Sequence, residues 1–395
     1  MNGSTRRRIS SRSGCGIIVF GVLAMLLGGC GGAPSAAGLV TPTGTAPEVS
    51  QAPTASPSAA ATGLRQVASF AGDTLHVDPL AFSPDGRTLA GNEGSEKRVR
   101  LWDVETGKAT ATITAPGNVS VGFTPDGQAL ATGYAGYGAQ LWDVGTGTST
   151  ATFPNPVTTG ANPLGGSGAV AVSPDGKTLA SIGNGGGVTS VLLWDVATGK
   201  NITKLTPRSS VLLCLAFSPD GKTIAAGGNG GGVTNQGSVY TWQVATGTPG
   251  PTLRLATTDL VKVIGNKVSS LAFSPDGKII AGAGFAGPSY LQNGAYTGTQ
   301  IWDVTTGTVV STVTDTGGGS VAFSPDGATL ATTLTGGTGV ELWDVAAGKT
   351  TGTITLPTNS AMTAAGTSGA PLAFNPDGKT LAVGVGGTVQ LWALR

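Results

Sequence analysis

The sequence predicts an all-β fold: a seven-bladed β-propeller of four-stranded antiparallel sheets, closed by an N-terminal strand in the last blade. Three observations point there. The tripeptide Pro-Asp-Gly recurs seven times, with its aspartates at Asp85, Asp126, Asp175, Asp220, Asp276, Asp326 and Asp377. Each copy is followed, 15 to 26 residues on, by one of the seven tryptophans of the chain: Trp102, Trp142, Trp194, Trp242, Trp302, Trp343 and Trp392. Glycine is abundant, at 66 of 395 residues, and charge is sparse, at 11%. That composition suits many short strands joined by tight turns.

Each repeat reads as four strands. Proline presets φ for the first central turn position, aspartate bonds the nearby backbone, and glycine supplies positive φ. A short apolar run such as Leu80-Ala81-Phe82 therefore turns back on itself at Ser83-Pro84-Asp85-Gly86. A second turn follows six of the tryptophans, as at Glu105-Thr106-Gly107-Lys108. In the first repeat the predicted strands fall near residues 79–82, 87–91, 99–104 and 108–113. One such sheet is apolar on both faces and cannot stand alone; neighbours around a ring bury both.

The last repeat stops three residues after Trp392, at the end of its third strand. One spare apolar segment, residues 64–70, precedes the first repeat. Pairing the two closes the ring and removes an open edge.

Before the repeats lies an address. Arg6, Arg7, Arg8 and Arg12 form a basic region, and residues 14–29 form an apolar stretch too short for a comfortable membrane span. Residues 1–29 read as a signal peptide. Leu27-Gly28-Gly29-Cys30 resembles the bacterial lipobox, which implies lipidation of Cys30 and an extracytoplasmic, lipid-anchored location at the cell membrane. Residues 30–63 then form a linker rich in Ala, Pro, Ser, Thr and Gly, expected to be a disordered tether. Removing the four leader arginines leaves 18 basic against 21 acidic residues, no footprint for a nucleic acid.

The repeats resemble the WD-repeat (WD40) β-propeller family in its bacterial Ser-Pro-Asp-Gly form. Trp-Asp-Val stands at Trp102, Trp142, Trp194, Trp302 and Trp343, and the pattern departs at Trp242-Gln243 and Trp392-Ala393. The family's Gly-His dipeptide is missing, so a His-to-Trp network is not expected. The resemblance implies a binding scaffold for a protein or peptide partner, monomeric, with no cofactor and no metal.

Reactive groups are few. His76 is the single histidine, so a His-based metal cluster is not possible, and the motif aspartates read as turn residues. Cys214 reads as a buried structural thiol. Gly-rich stretches at residues 183–187 and 227–232 lack the Lys-Ser/Thr of a phosphate loop and read as surface loops. The alternatives are a propeller enzyme of lactonase or lyase type, or a glycan-binding module.

Insertions fall between second and third strands, or between one repeat and the next: residues 154–168, 227–237, 257–267, 284–298 and 356–370. In an up-and-down sheet both connections open on one end. Tyr134, Tyr137, Phe285, Tyr290 and Tyr296 are assigned to these loops and form the candidate partner-binding set. The charged segment from Glu93 to Arg98 reads as a solvated hairpin tip.

Overall fold

The computed structural model describes residues 64–71, 77–93, 98–114, 119–134, 138–155, 168–185, 188–207, 211–229, 237–255, 267–285, 298–314, 316–334, 337–357 and 370–394. The described strands form seven antiparallel four-stranded sheets, the blades of a propeller. Blade 1 is Val77–Phe82, Thr88–Glu93, Arg98–Asp103 and Ala109–Thr114, in that spatial order. Blades 2 to 6 follow the same order within residues 119–154, 170–205, 212–254, 267–313 and 316–355.

Blade 7 takes Leu372–Phe374, Thr380–Val385 and Thr388–Ala393 from the end of the chain, and its outer strand, Arg65–Ala71, from the start. The register shows that this strand is a true fourth strand. In blade 1 the outer strand bulges where Trp102 faces Ala109 and Leu101 faces Ala111. In blade 7 the same bulge recurs, with Trp392 facing Gln66 and Leu391 facing Ala68. The residue pushed out by the bulge is Val67, 45% exposed. The residue facing inward is Phe70, at the position of Ile113 in blade 1 and 2% exposed. The bulge also explains why the segment alternates imperfectly in sequence.

Burial falls from the middle of each blade outward. Second strands, such as Thr88–Glu93, are buried at nearly every position, because both faces meet a neighbouring blade. Outer strands, such as Ala109–Thr114, bury a single residue. The core is divided into seven clusters, each shared by two consecutive blades. Ala90, Val99, Leu101 and Ile113 of blade 1 meet Val121, Leu130 and Tyr134 of blade 2. The ring closes where Phe70, Ala382, Val389 and Leu391 of blade 7 meet Leu80, Leu89 and Trp102 of blade 1.

The two turn types are built as the sequence implies. Ser83 Oγ donates to Asp85 Oδ1 at 2.6 Å and accepts Thr88 N at 2.9 Å, while Gly86 sits at φ 70°. Asp103 Oδ1 accepts both Thr106 N, at 2.8 Å, and Thr106 Oγ1, at 2.6 Å. Val104 N donates to Arg87 O and ties the second turn to the first. The two departures from Trp-Asp follow from this chemistry. Gln243 cannot cap its turn as a carboxylate does and donates to Thr223 Oγ1 instead. Ala393 precedes no such turn, because its partner strand comes from Arg65–Ala71.

The Pro-Asp-Gly turns also touch one another around the ring. A side chain built at Gly127, Gly176, Gly221, Gly277, Gly327 or Gly378 would abut the proline of the preceding blade's turn, Pro84, Pro125, Pro174, Pro219, Pro275 or Pro325. At the seam between blade 7 and blade 1 the contact changes. Asn375 replaces the usual Ser or Thr, and its Nδ2 donates to Gly86 O at 3.2 Å, across 289 residues of chain. A Cβ at Gly86 would collide with that carboxamide.

Candidate binding face

The blade topology separates the propeller into two unlike ends. At one end lie the connections between first and second and between third and fourth strands. These span five residues each, except residues 345–348, which span four. At the other end the connections run from two residues, as at 386–387, to sixteen, at 356–371. We refer to these as the turn end and the loop end.

The turn end is repetitive. The carboxyls of Asp85, Asp126, Asp175, Asp220, Asp276 and Asp326 are held below the ordinary value of 3.8, first by the hydroxyl of the preceding Ser or Thr and then by a backbone N–H two residues on. Asp103, Asp143 and Asp195 are lowered by the Thr side chain and then its N–H; at Asp303 the N–H of Thr306 comes first. Each of these aspartates is committed to its own turn. Among the described residues, no group of three or more His, Cys, Asp or Glu is placed to hold a metal ion.

Of the candidate aromatics, Tyr134 and Phe285 lie among the described residues, and the reading of Tyr134 is corrected by the structure. Tyr134 is the last residue of Ala129–Tyr134, a second strand, and is 3% exposed. It is not a loop residue: it lies in the core between blades 1 and 2. Its hydroxyl donates to Gln140 Oε1 at 2.7 Å and meets Thr132 Oγ1 at 2.8 Å. Thr132 Oγ1 in turn accepts Trp142 Nε1 at 2.7 Å. With Tyr134 donating onward, the relay runs from indole to threonine to tyrosine to amide. Burial pushes the phenol up, opposed by its Thr132 and Trp142 partners. Phe285 ends the strand Ile279–Phe285 and stands opposite Lys267. Tyr137, Tyr290 and Tyr296 lie outside the described residues, as do Cys30 and His76.

Three further readings change. Glu93 is not part of a solvated tip: it ends Thr88–Glu93 with its side chain fully buried. Arg98 Nε reaches its Oε2 at 2.7 Å, and Arg100 Nε reaches its Oε1 at 3.0 Å. The signal was present in the sequence, since Arg98 and Arg100 are two apart and share one strand face. Residues 183–185 are strand, not loop: Gly183, Asn184 and Gly185 pair with Ser190, Thr189 and Val188. Gly227 and Gly228 likewise end the strand Thr223–Gly228. Glycine is required at Gly228 because a Cβ would strike the carbonyl oxygen of Val211.

Indole partners vary by blade. Trp194 Nε1 donates to Ser181 Oγ at 3.0 Å and Trp392 Nε1 to Gln390 Oε1 at 3.2 Å. Trp102 Nε1 and Trp343 Nε1 are buried with no partner among the described residues. The Ser or Thr that serves blades 2 and 3 is replaced by Gly91 in blade 1. Cys214 Sγ points toward Val268 O at 3.5 Å, and burial pushes its thiol up to about 12.

Fold and turn chemistry together define a propeller of tryptophan-centred repeats. Segments of the chain are similar to the WD40 repeat: the model for "WD domain, G-beta repeat" matches residues 66–103, 199–234 and 259–287. An uncharacterised WD repeat-containing protein of Synechocystis is 38% identical over 77 residues, 19% of this chain and 22% of that protein. THO complex subunit 3 of Arabidopsis thaliana is 36% identical over 63 residues, 16% of this chain and 20% of that protein. A WD repeat-containing protein of Dictyostelium discoideum is 28% identical over 68 residues, 17% of this chain and 14% of that protein. The aligned stretches thus cover less than a quarter of each relative, about the length of one or two repeats.

Proposed function

We propose that the chain is an exported lipoprotein, anchored through Cys30, whose propeller binds a protein or peptide partner at its loop end and catalyses no reaction. The observation that carries the binding site is the asymmetry of the two ends. The turn end repeats two short turn types, so it offers little to tell one partner from another. Apart from one four-residue turn, all variation in connection length falls at the loop end, where the blades can hold distinctive loops. WD40 propellers generally serve as protein-binding scaffolds, which supports the same reading. The THO complex subunit among the relatives is by its name a member of an assembly.

The binding test replaces residues 286–298 by Asn-Gly, the favoured two-residue hairpin turn. Affinity capture from the native membrane should recover a partner with the wild-type chain and lose it with the shortened one. Identical recoveries from both would remove this loop from the site. The anchoring test is mass spectrometry of the mature protein, which should begin at an acylated Cys30. An unmodified Cys30 in membrane-free protein would end that part of the proposal.

A further inference from the structure

We propose that Asp377-Gly378 is a site of spontaneous covalent modification: of the seven Asp-Gly pairs it is the one that turns to isoaspartate first, and the change loosens the closure of the ring. Every Asp-Gly pair is open to this chemistry, since glycine carries no side chain to hinder its nitrogen. That nitrogen attacks Cγ of the preceding aspartate, an N–C bond forms, and a carboxyl oxygen leaves as water. Water then opens the succinimide. Where it adds at the backbone carbonyl, the chain afterwards runs through Cγ and is one methylene longer. The water lost is regained, so the mass is unchanged, and no oxidant or cofactor is needed.

The seven pairs share one turn, so the difference between them lies in what holds the carboxylate. All seven aspartates are exposed, and in every turn the glycine N–H donates to the carbonyl three residues back. In six turns Oδ1 accepts two bonds. One comes from the Ser or Thr hydroxyl two residues before, at 2.5 or 2.6 Å. The other comes from the backbone N–H two residues on, at 3.0 or 3.1 Å. Both bonds favour the ionised carboxylate, the form least able to lose an oxygen, and fix its direction. Asp377 lacks the hydroxyl. Asn375 commits its Nδ2 to Gly86 O, at 3.2 Å, and its Oδ1 to the N–H of Asp377, at 3.1 Å. Among the described residues the Asp377 carboxylate accepts Lys379 N alone, at 2.8 Å. Its glycine is also the least confined. A Cβ built at Gly378 would stand 3.7 Å from Pro325, against 3.2–3.5 Å from the matching prolines at the glycines of blades 2 to 6. Gly86 is buried against Asn375. The new methylene would fall between Asn375, which bonds Gly86 O, and Lys379, whose carbonyl accepts Leu394 N. Lengthening the backbone there strains the seam with blade 1 and the end of the last strand together.

The test ages the purified full-length chain in buffer and maps isoaspartate by peptide mass spectrometry with electron-transfer fragmentation, which separates the isomers at equal mass. Deamidation of asparagine alters the mass and is scored apart. Isoaspartate should accumulate at Asp377 several-fold faster than at any other Asp-Gly pair. Asn375→Ser supplies the missing hydroxyl and should bring Asp377 down to the rate of the other six, although it gives up the bond to Gly86 O. A site governed by looseness of the seam alone would speed up instead. Ser218→Ala, in blade 4 and away from the seam, removes a hydroxyl and should raise Asp220 toward the rate of Asp377. Equal accumulation at all seven pairs overturns the proposal. So does an Asp377 rate unchanged or raised by Asn375→Ser, or an Asp220 rate unmoved by Ser218→Ala. In the aged wild-type chain the Leu394 amide should exchange faster in molecules that carry the isoaspartate; equal exchange would show the closure untouched and overturn that half of the proposal.

Discussion

Phe70 is the residue on which closure of the ring turns, and Phe70→Ala tests it. The side chain is 2% exposed and packs with Leu80, Leu89, Trp102, Val389 and Leu391, from both sides of the seam. Truncating a buried phenylalanine costs about 3–5 kcal/mol, from lost transfer energy and the cavity left behind. For a folded unit of some 330 residues the unfolding entropy makes 3 kcal/mol a fall of about 4 °C in Tm. The same truncation at Ile113 in blade 1 should cost a comparable amount, but its consequence should differ. Ala109–Thr114 is held to its blade by a hairpin, whereas Arg65–Ala71 is held to Thr388–Ala393 by pairing alone. Phe70→Ala should therefore also raise hydrogen exchange at the amides of Thr388–Ala393, well below the temperature of global melting. Val67→Ala in the same strand is the control, since Val67 is 45% exposed at the bulge. A disulfide between Ser69→Cys and Gln390→Cys, which face each other directly, should restore the exchange protection lost in Phe70→Ala. If Phe70→Ala melts and exchanges like Val67→Ala, and the cysteine pair does not oxidise, the ring is closed elsewhere and the reasoning is wrong.

Three more outcomes follow from the same packing. Tyr134→Phe should lower stability by about 1–2 kcal/mol in urea unfolding, because Thr132 and Gln140 lose a buried partner, and should leave partner binding intact. Asn375→Ser should keep its own turn, as Ser does in five other blades, while losing the bond to Gly86 O. The expected cost is about 1 kcal/mol, read as roughly fivefold faster exchange confined to the seam between blades 7 and 1. The turn aspartates predict an acid limb. Their native values lie below 3.8, so the stability they add is present above about pH 4 and is lost as pH falls through the depressed values. Ser218→Ala should return Asp220 toward 3.8 in an NMR titration; an unchanged value would show that the hydroxyl is not the cause.

What the sequence determined by itself was local and repeated. Pro-Asp-Gly, with the Ser, Thr or Asn before it, specifies its turn through atoms five residues apart at most, and seven copies set the number of blades. The missing last strand and the spare first one were legible because a ladder needs only a partner of matching length and pattern. What only the tertiary structure decided depends on strand register and on which side chains then meet, within a blade or between blades. Tyr134 looks like a loop aromatic beside Ala135, Gly136 and Tyr137, yet one more strand residue turns it into the core of the neighbouring blade. Glu93 looks like a tip charge until the register brings Arg98 opposite and Arg100 alongside. Asn375 looks like a tolerated replacement for Ser until the ring brings Gly86 to it from the far end of the chain. The contact of Asn375 is fixed by the closing of the ring, across 289 residues of chain, whereas those of Glu93 and Tyr134 depend on where a strand ends and on its register, which the folded blade sets.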